Sequence, residues 1–381
     1  MLSDTRISEF RSHFPILRDN IYLYSCSQGA LSEEVESAAR AFADSWRTSA
    51  APWDEWVGVY EQVRAQFAGF IHADPSEIAI VTSASAGINP IASALDFGRR
   101  DKVVMSEYEF PTMGHIWLAQ QSRGARVYFL NGVNNTVPAE CYEQAIDERT
   151  AIVPVAQVSF INGFRPDLAA ITRIAHERGA LVFLDAFQDC GTRPIDVKGL
   201  GVDFLVSGTL KYLLGPPGLA FLYVRRDLAQ SLTPTVTSWM GQRDVFAYDT
   251  MHLDLAPEAR RFECGTPPIP NIYMAQAALE LLEGFGMDDV AAQVERLARE
   301  FLAGARDLGI ESKTPSSTVG PLVVLRAHDS AAVIRNLAAR GIVASARRDG
   351  VRFSFHVYNT LDDVRDTLRA LEENVELMVR P

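Results

Sequence analysis

Cysteine is scarce in this chain of 381 residues: Cys26, Cys141, Cys190 and Cys264 stand far apart and form no CxxC. Neither a disulfide framework nor a cysteine-based zinc cluster is suggested by that spacing. The seven histidines show no HxxxH or HxH pairing, which leaves metal catalysis without a ligand set, and no metal is expected. Positive charge is also short, with 36 lysines and arginines against 48 aspartates and glutamates, a net charge of -12. A general nucleic-acid or anionic-membrane binder needs the opposite balance on some face. No run approaches the roughly 20 apolar residues of a membrane span. The opening stretch, MLSDTRISEFRSHFP, carries acids where a secretory signal has its apolar core, so a cytoplasmic location is expected. Repeats, low-complexity tracts and flexible linkers are missing too, and two units sharing a substantial interface are expected.

What is present is an alternation of short apolar runs with amphipathic stretches between Ile78 and Val224. The runs are Ile78 to Val81, Lys102 to Met105, Arg126 to Leu130, Ala151 to Val155, Leu181 to Leu184, Phe204 to Val206 and Leu219 to Val224. Several are apolar on consecutive residues, as strands covered by helices on both faces require. An α/β fold with a mostly parallel seven-stranded sheet is predicted. Between two runs, Asp167 to Arg178 reads as a helix capped by Asp167 and stopped by Gly179. After Arg261 the pattern changes to helices around Tyr273 to Phe285 and Val290 to Leu308. Short strands follow near Leu322 to Leu325 and Val351 to Phe355, with a final helix after Thr360. The expected division is a large α/β unit over 21–260, and a smaller α+β unit made of 1–20 with 261–381.

Two stretches carry chemistry. In LVFLDAFQDC an apolar strand ends in Asp185, with Gln188 three residues on; the C-terminal ends of parallel strands are where open α/β sheets bind ligands. The bland alternative is a helix cap or loop carboxylate. In VDFLVSGTLKYLLGPPG, Lys211 follows a strand and a Ser-Gly-Thr turn and precedes apolar residues. A bare cation is costly there, whereas an amine consumed in a Schiff base is not, because desolvation frees its lone pair for attack on an aldehyde. The alternative is a lysine whose stem is covered and whose head reaches water.

Taken in order, YLYSCSQG, VTSASAGIN, SEYEF, FLDAFQ, SGTLKYLLGPPG, RFECGTPP and VRFSFHVYNT resemble the class V aminotransferase branch of fold-type I pyridoxal-phosphate enzymes. This branch includes cysteine desulfurases, selenocysteine lyases, kynureninases and isopenicillin-N-epimerase-like proteins. The resemblance implies pyridoxal 5'-phosphate as cofactor, carried by Lys211, with Asp185 paired to the pyridine nitrogen so that the ring can accept electrons. Gln188 would orient the cofactor. Ala84 and Ser85, at a strand-to-helix turn that also suits a plain loop, would hold the phosphate. Ser replaces the family's usual Thr at position 85, and Ala86 replaces its usual Glu. Ser207 and Thr209 are further phosphate candidates, with the choice between them open, and the frequent histidine before the lysine is Leu210.

By the same resemblance Phe110 stacks on the cofactor ring, where desulfurases have a histidine; it offers a π face but no proton. Ordinary core packing is its alternative. Where desulfurases set an asparagine against the cofactor this chain has Phe160, so Asn162 is the candidate, or else a turn residue before Gly163. Gly265 and Thr266 would reach a neighbouring subunit's phosphate, implying a homodimer with shared active sites. Arg352 would grip the substrate carboxylate through its planar fork, with Ser27 and Gln28 of YLYSCSQG on the substrate side.

The cofactor alone does not fix the reaction. The segment GIVASARRDGVRF occupies the place where desulfurases carry a nucleophilic cysteine and has none, so a persulfide-forming desulfurase is not expected. The first expectation is a lyase cleaving a β-substituent, a C–S bond, from an amino acid. The runner-up is an aminotransferase or epimerase. A non-catalytic cofactor-binding scaffold is the third reading, against which the joint presence of Lys211, Asp185, Gln188 and Arg352 argues.

Overall fold

The computed structural model describes residues 3–381. In chain order the strands are β1 (Ile21–Tyr22), β2 (Ile78–Val81), β3 (Lys102–Ser106), β4 (Arg126–Leu130), β5 (Thr150–Ala156), β6 (Leu181–Asp185), β7 (Phe204–Gly208) and β8 (Ala220–Val224). These are followed by β9 (Leu322–Arg326), β10 (Ile342–Val343), β11 (Ser345–Arg347) and β12 (Gly350–Ser354). The seven predicted apolar runs form one seven-stranded sheet in the order β2-β8-β7-β6-β5-β3-β4. All its neighbours pair in parallel except β8, which runs antiparallel to both β2 and β7.

Period-two alternation sends successive residues of a strand to opposite faces, and here both faces are covered. In β6, Val182 and Leu184 enter a core with Leu168, Ile171 and Ile174 of helix Leu168–Glu177. Phe183 enters the opposite core with Ile88 and Ile91 of helix Ala84–Ala94 and Ile116 of helix Pro111–Ala119. The cap signals hold: the Asp167 carboxylate accepts from the Ala170 N–H, and Gly179 takes the left-handed conformation that ends the turn. Among the described residues no helix is long and apolar enough to cross a membrane.

A second, antiparallel sheet has the order β11-β12-β9 and shares its core with helices Met287–Asp307, Ser330–Ala338 and Leu361–Glu372. The expected division at 20/21 and 260/261 is crossed at both ends. β1 pairs in parallel with β10, and Leu23 joins the small-sheet core. Helix Ile269–Phe285 instead lies on helices Glu33–Ser49 and Trp53–Phe70. Its Ile272, Leu279 and Leu282 share a core with Tyr60, Val63 and Phe67, so burial of these apolar faces, not chain order, sets the boundary.

One glycine fixes where the two sheets meet. Gly163, at φ 72° in the turn after β5, approaches β9 so closely that a Cβ would lie 2.0 Å from the Leu322 carbonyl oxygen. Gly163→Ala should therefore cost about 1–3 kcal/mol, from backbone strain plus displaced packing. A urea midpoint equal to that of the wild type would show that the turn is not held as described.

Candidate active site

The site forms where the chain leaves the C-terminal ends of β2, β3, β6 and β7. Lys211 sits in the loop between β7 and β8, a loop held against the N-terminal segment by a hydrogen bond of 2.7 Å from the Gly29 N–H to the Leu210 carbonyl. Only glycine permits that approach, since a Cβ on residue 29 would stand 2.4 Å from the Lys211 carbonyl oxygen. The lysine opens onto a cavity but is otherwise enclosed. Burial brings its pKa down to about 8; Asp185 opposes the shift, while Arg352 and Arg347 add to it. Its Nζ lies 4.3 Å from the centre of the Phe187 ring and 5.7 Å from that of Phe110, faces that attract a cation without neutralising it.

Asp185 ends β6, and its Oδ1 accepts the Phe187 N–H at 3.0 Å. Burial raises its pKa, against the pull of that hydrogen bond and of Lys211. Gln188 donates from Nε2 to the Cys26 carbonyl at 3.0 Å, while its buried Oε1 lacks a hydrogen-bond partner among the described residues. A second buried carboxyl, Glu109, feels the charge of Asp185; burial lifts its pKa to about 8. Burial thus favours the neutral form of Glu109 and limits the repulsion between the two carboxyls.

Ser83 caps helix Ala84–Ala94 by accepting the Ala86 N–H, which leaves the amides of Ala84 and Ser85 without helical partners. The Ser85 hydroxyl lies 3.4 Å from that of Thr112. On the small-sheet side Arg352, 2% exposed, donates from Nε to Ser345 Oγ at 3.1 Å, from Nη1 to the Phe160 carbonyl at 3.3 Å and from Nη2 to Ser27 Oγ at 2.9 Å.

Of the residues singled out in the sequence, Ala84, Ser85, Phe110, Asp185, Gln188 and Lys211 line one cavity of about 260 Å³. Arg352 and Ser27 are in contact beside it. The others lie elsewhere. Ser207 is fully buried within β7, beside Cys190, and the Thr209 hydroxyl is spent on the carbonyls of Pro216 and Leu219. Neither lines the cavity. Asn162 is the turn residue of its alternative reading, donating to the Asn135 carbonyl and accepting the Phe164 N–H. Gln28 uses its carbonyl to accept the Tyr22 hydroxyl. Gly265 and Thr266 are exposed and outside the cavity.

Sequence reading missed Ser83, Thr112, Phe160 and Phe187, all of which line the cavity. Phe187 had a signal. It follows Asp185 by two residues, and a Cβ on Gly208 would meet its ring at 2.1 Å, so the glycine of SGT and the phenylalanine of DAFQ require each other. Pro111 opening helix Pro111–Ala119 likewise marks Thr112 as a first-turn residue with a free amide nearby.

The Aminotransferase class-V profile matches residues 27–367, and the chain belongs to that family. It is 34% identical over 363 residues, 94% of this chain and 96% of the relative, to an uncharacterized aminotransferase, YcbU, of Bacillus subtilis (strain 168). It is 27% identical over 388 residues, covering 96% and 92%, to a kynureninase of Pseudomonas fluorescens. In fold it is similar to an apo cysteine desulfurase from Thermococcus onnurineus NA1, with a TM-score of 0.89, 24% identity and coverage of 99% and 100%. It is also similar to a cystine C–S lyase, C-DES, solved with its product cysteine persulfide, with a TM-score of 0.87, 21% identity and coverage of 94% and 99%. The protein is a pyridoxal 5'-phosphate enzyme acting on amino acids.

The cavity fits that cofactor: it offers an amine of lowered pKa, a buried carboxylate, an orphaned amide oxygen and free helix N-terminal amides. In cofactor-free protein, Lys211 should become reactive with a midpoint near pH 8, well below the ordinary lysine value of about 10.4. Asp185→Asn should move the midpoint lower still, because the lost negative charge no longer favours the ammonium. Acetylation rates at Lys211 followed by peptide mapping against pH would test both. A midpoint above 10 would refute the burial argument.

Proposed function

We propose that this enzyme is a lyase that eliminates a sulfur-linked β-substituent from an L-amino acid. The observation that carries the reading is the distribution of titratable groups: among the described residues lining the cavity, only Lys211 and Asp185 ionise. The family resemblance sets Phe110 against the cofactor ring, and Phe110 has no proton to exchange. Epimerisation requires a proton returned from the opposite face, for which the cavity provides no donor. Elimination requires one base and a leaving group.

When bound, pyridoxal 5'-phosphate supplies the electron sink that labilises bonds at Cα. Ala84, Ser85 and Thr112 would hold its phosphate, Asp185 its pyridine nitrogen and Gln188 its oxygen-bearing edge. Arg352 would orient the substrate carboxylate, which sets the Cα–H bond toward Lys211. Lys211 Nζ takes that proton, its lowered pKa making the neutral, accepting form more accessible than for an ordinary lysine. The electron pair left at Cα forms the Cα–Cβ double bond, and the pair of the broken Cβ–S bond leaves on sulfur. The released 2-aminoacrylate hydrolyses to pyruvate and ammonia.

Transamination is the second reading, favoured by the name of the Bacillus subtilis relative; it also needs only one base. A persulfide mechanism lacks support, since the β11–β12 hairpin turns at Arg348 without a cysteine. We extend the proposal to a homodimer in which Gly265 and Thr266 serve the partner's phosphate. Exposed Trp239, Phe246, Tyr248, Met251 and Leu253 on the preceding loop support such an interface.

Incubation with an S-substituted L-cysteine should yield pyruvate, ammonia and thiol in equal amounts. Retention of the nitrogen on the cofactor would replace this reading with transamination. Lys211→Ala should lower turnover by several orders of magnitude, and near-normal activity would sink the mechanism. Arg352→Lys should lower kcat/KM by about 30- to 150-fold, or about 2–3 kcal/mol, on carboxylate substrates. Matched amide substrates should be unaffected, and equal losses on acid and amide would remove the carboxylate role.

A further inference from the structure

The part of the cavity next to Arg352 is walled by aromatic carbon. Phe160 donates nothing there; its carbonyl is tied to Arg352 Nη1 at 3.3 Å, and its ring meets Phe110 edge to face with centroids 5.1 Å apart. Val158, Leu210 and Ile88 complete the apolar lining. The residue that fixes the carboxylate-binding arginine therefore also presents a hydrophobic wall beside it.

Arg352 has a limited supply of donors. A guanidinium carries five N–H groups, and three are engaged by Ser345, Phe160 and Ser27. What remains is a fork for a single carboxylate. A second anion on the substrate would find no further cation on the cavity wall except Lys211, which is needed for proton transfer. A cationic substituent would find only Asp185, which is needed for the cofactor. An unpaired charge enclosed there is costly, whereas a thioether against aromatic edges is favourable.

We propose that Phe160, with Phe110, selects the β-substituent, and that the preferred substrates are S-substituted L-cysteines whose sulfur carries an apolar alkyl or aryl group. The inference rests on the lyase reading for the bond that breaks and on the aromatic wall for the substituent. The step is balanced without any oxidant: Lys211 takes the Cα proton, the Cβ–S bond breaks with its electron pair on sulfur, and the thiolate is protonated on release. Arg347, exposed on the hairpin rim, is the competing element, and an anionic substituent long enough to reach it is the alternative the test must include.

With the holoenzyme, pyruvate release from S-ethyl- and S-benzyl-L-cysteine should exceed that from L-cysteine, S-carboxymethyl- and S-aminoethyl-L-cysteine by about tenfold or more in kcat/KM. Phe160→Asn should remove most of that preference, read as the ratio of kcat/KM values between apolar and charged conjugates, and Phe160→Leu should keep it. Binding is read separately by titrating the cofactor absorbance with L-norleucine, L-glutamate and L-lysine, none of which has a β-leaving group. Norleucine should perturb the spectrum at about tenfold lower concentration. If no pyruvate forms but this order holds, the lyase reading falls and the aromatic selection stands. Where pyruvate forms as readily from the charged conjugates, or from S-carboxymethyl-L-cysteine best of all, elimination stands and the selection is overturned.

Discussion

An amine can wait as a nucleophile and base near neutral pH only if its surroundings disfavour the ammonium form. Around Lys211 that is achieved mainly by removing water, with a net pull the other way from one carboxylate. Two phenylalanine rings close around the ammonium without accepting its proton, and Arg352 and Arg347 add positive field. The rest of the architecture maintains this balance. The parallel sheet carries Asp185 to a strand end, burial favours the neutral form of Glu109, and Gly29 lets the N-terminal segment press onto the lysine loop. Were Glu109 ionised as well, the amine would be held charged more firmly.

The two sheets divide the work according to what each can build. Strand ends and a helix N-terminus of the large sheet supply preorganised donors and a carboxyl group, the features that the proposed reading assigns to a planar, phosphorylated ligand. The antiparallel sheet supplies Arg352, whose register neighbour Ser345, with the Phe160 carbonyl and Ser27, holds the guanidinium in one orientation. A bidentate fork is useful only when it cannot rotate away, and burial at the junction between the sheets provides that restraint.

Much of this was legible in the chain. Strands covered on both faces leave uninterrupted apolar runs, so all seven were visible, and Asp167, Gly179 and Thr360 marked helix ends by their own chemistry. Lys211 and Asp185 stood out because charge at the end of an apolar run needs a reason. Direction was not legible. Thr209 lies two residues from Lys211, yet the buried carbonyls of Pro216, within the Gly-Pro-Pro-Gly loop, and of Leu219, just after it, claim its hydroxyl, a demand that depends on how the loop folds back. Asn162 is drawn into a turn for the same reason. Phe187 escaped notice because its signal is a steric pairing with Gly208 shared between two motifs, DAFQ and SGT, each of which looks ordinary alone.

The segment from Tyr24 to Gly29 touches three separate tasks: the Cys26 carbonyl anchors Gln188, Ser27 receives Arg352, and Gly29 fastens the lysine loop. These contacts fall on alternating or adjacent residues of one short stretch, so they share a single reading frame along the backbone. Lengthening or shortening the chain by one residue here would displace Gln188, Arg352 and the Lys211 loop together. The exposed tip of the β11–β12 hairpin at Arg348, beyond Ser345 and Arg352, takes no part in these three contacts and is freer to vary in length. In a lineage built on this scaffold, novelty should therefore accumulate at the hairpin tip, while the spacing of the N-terminal segment stays frozen.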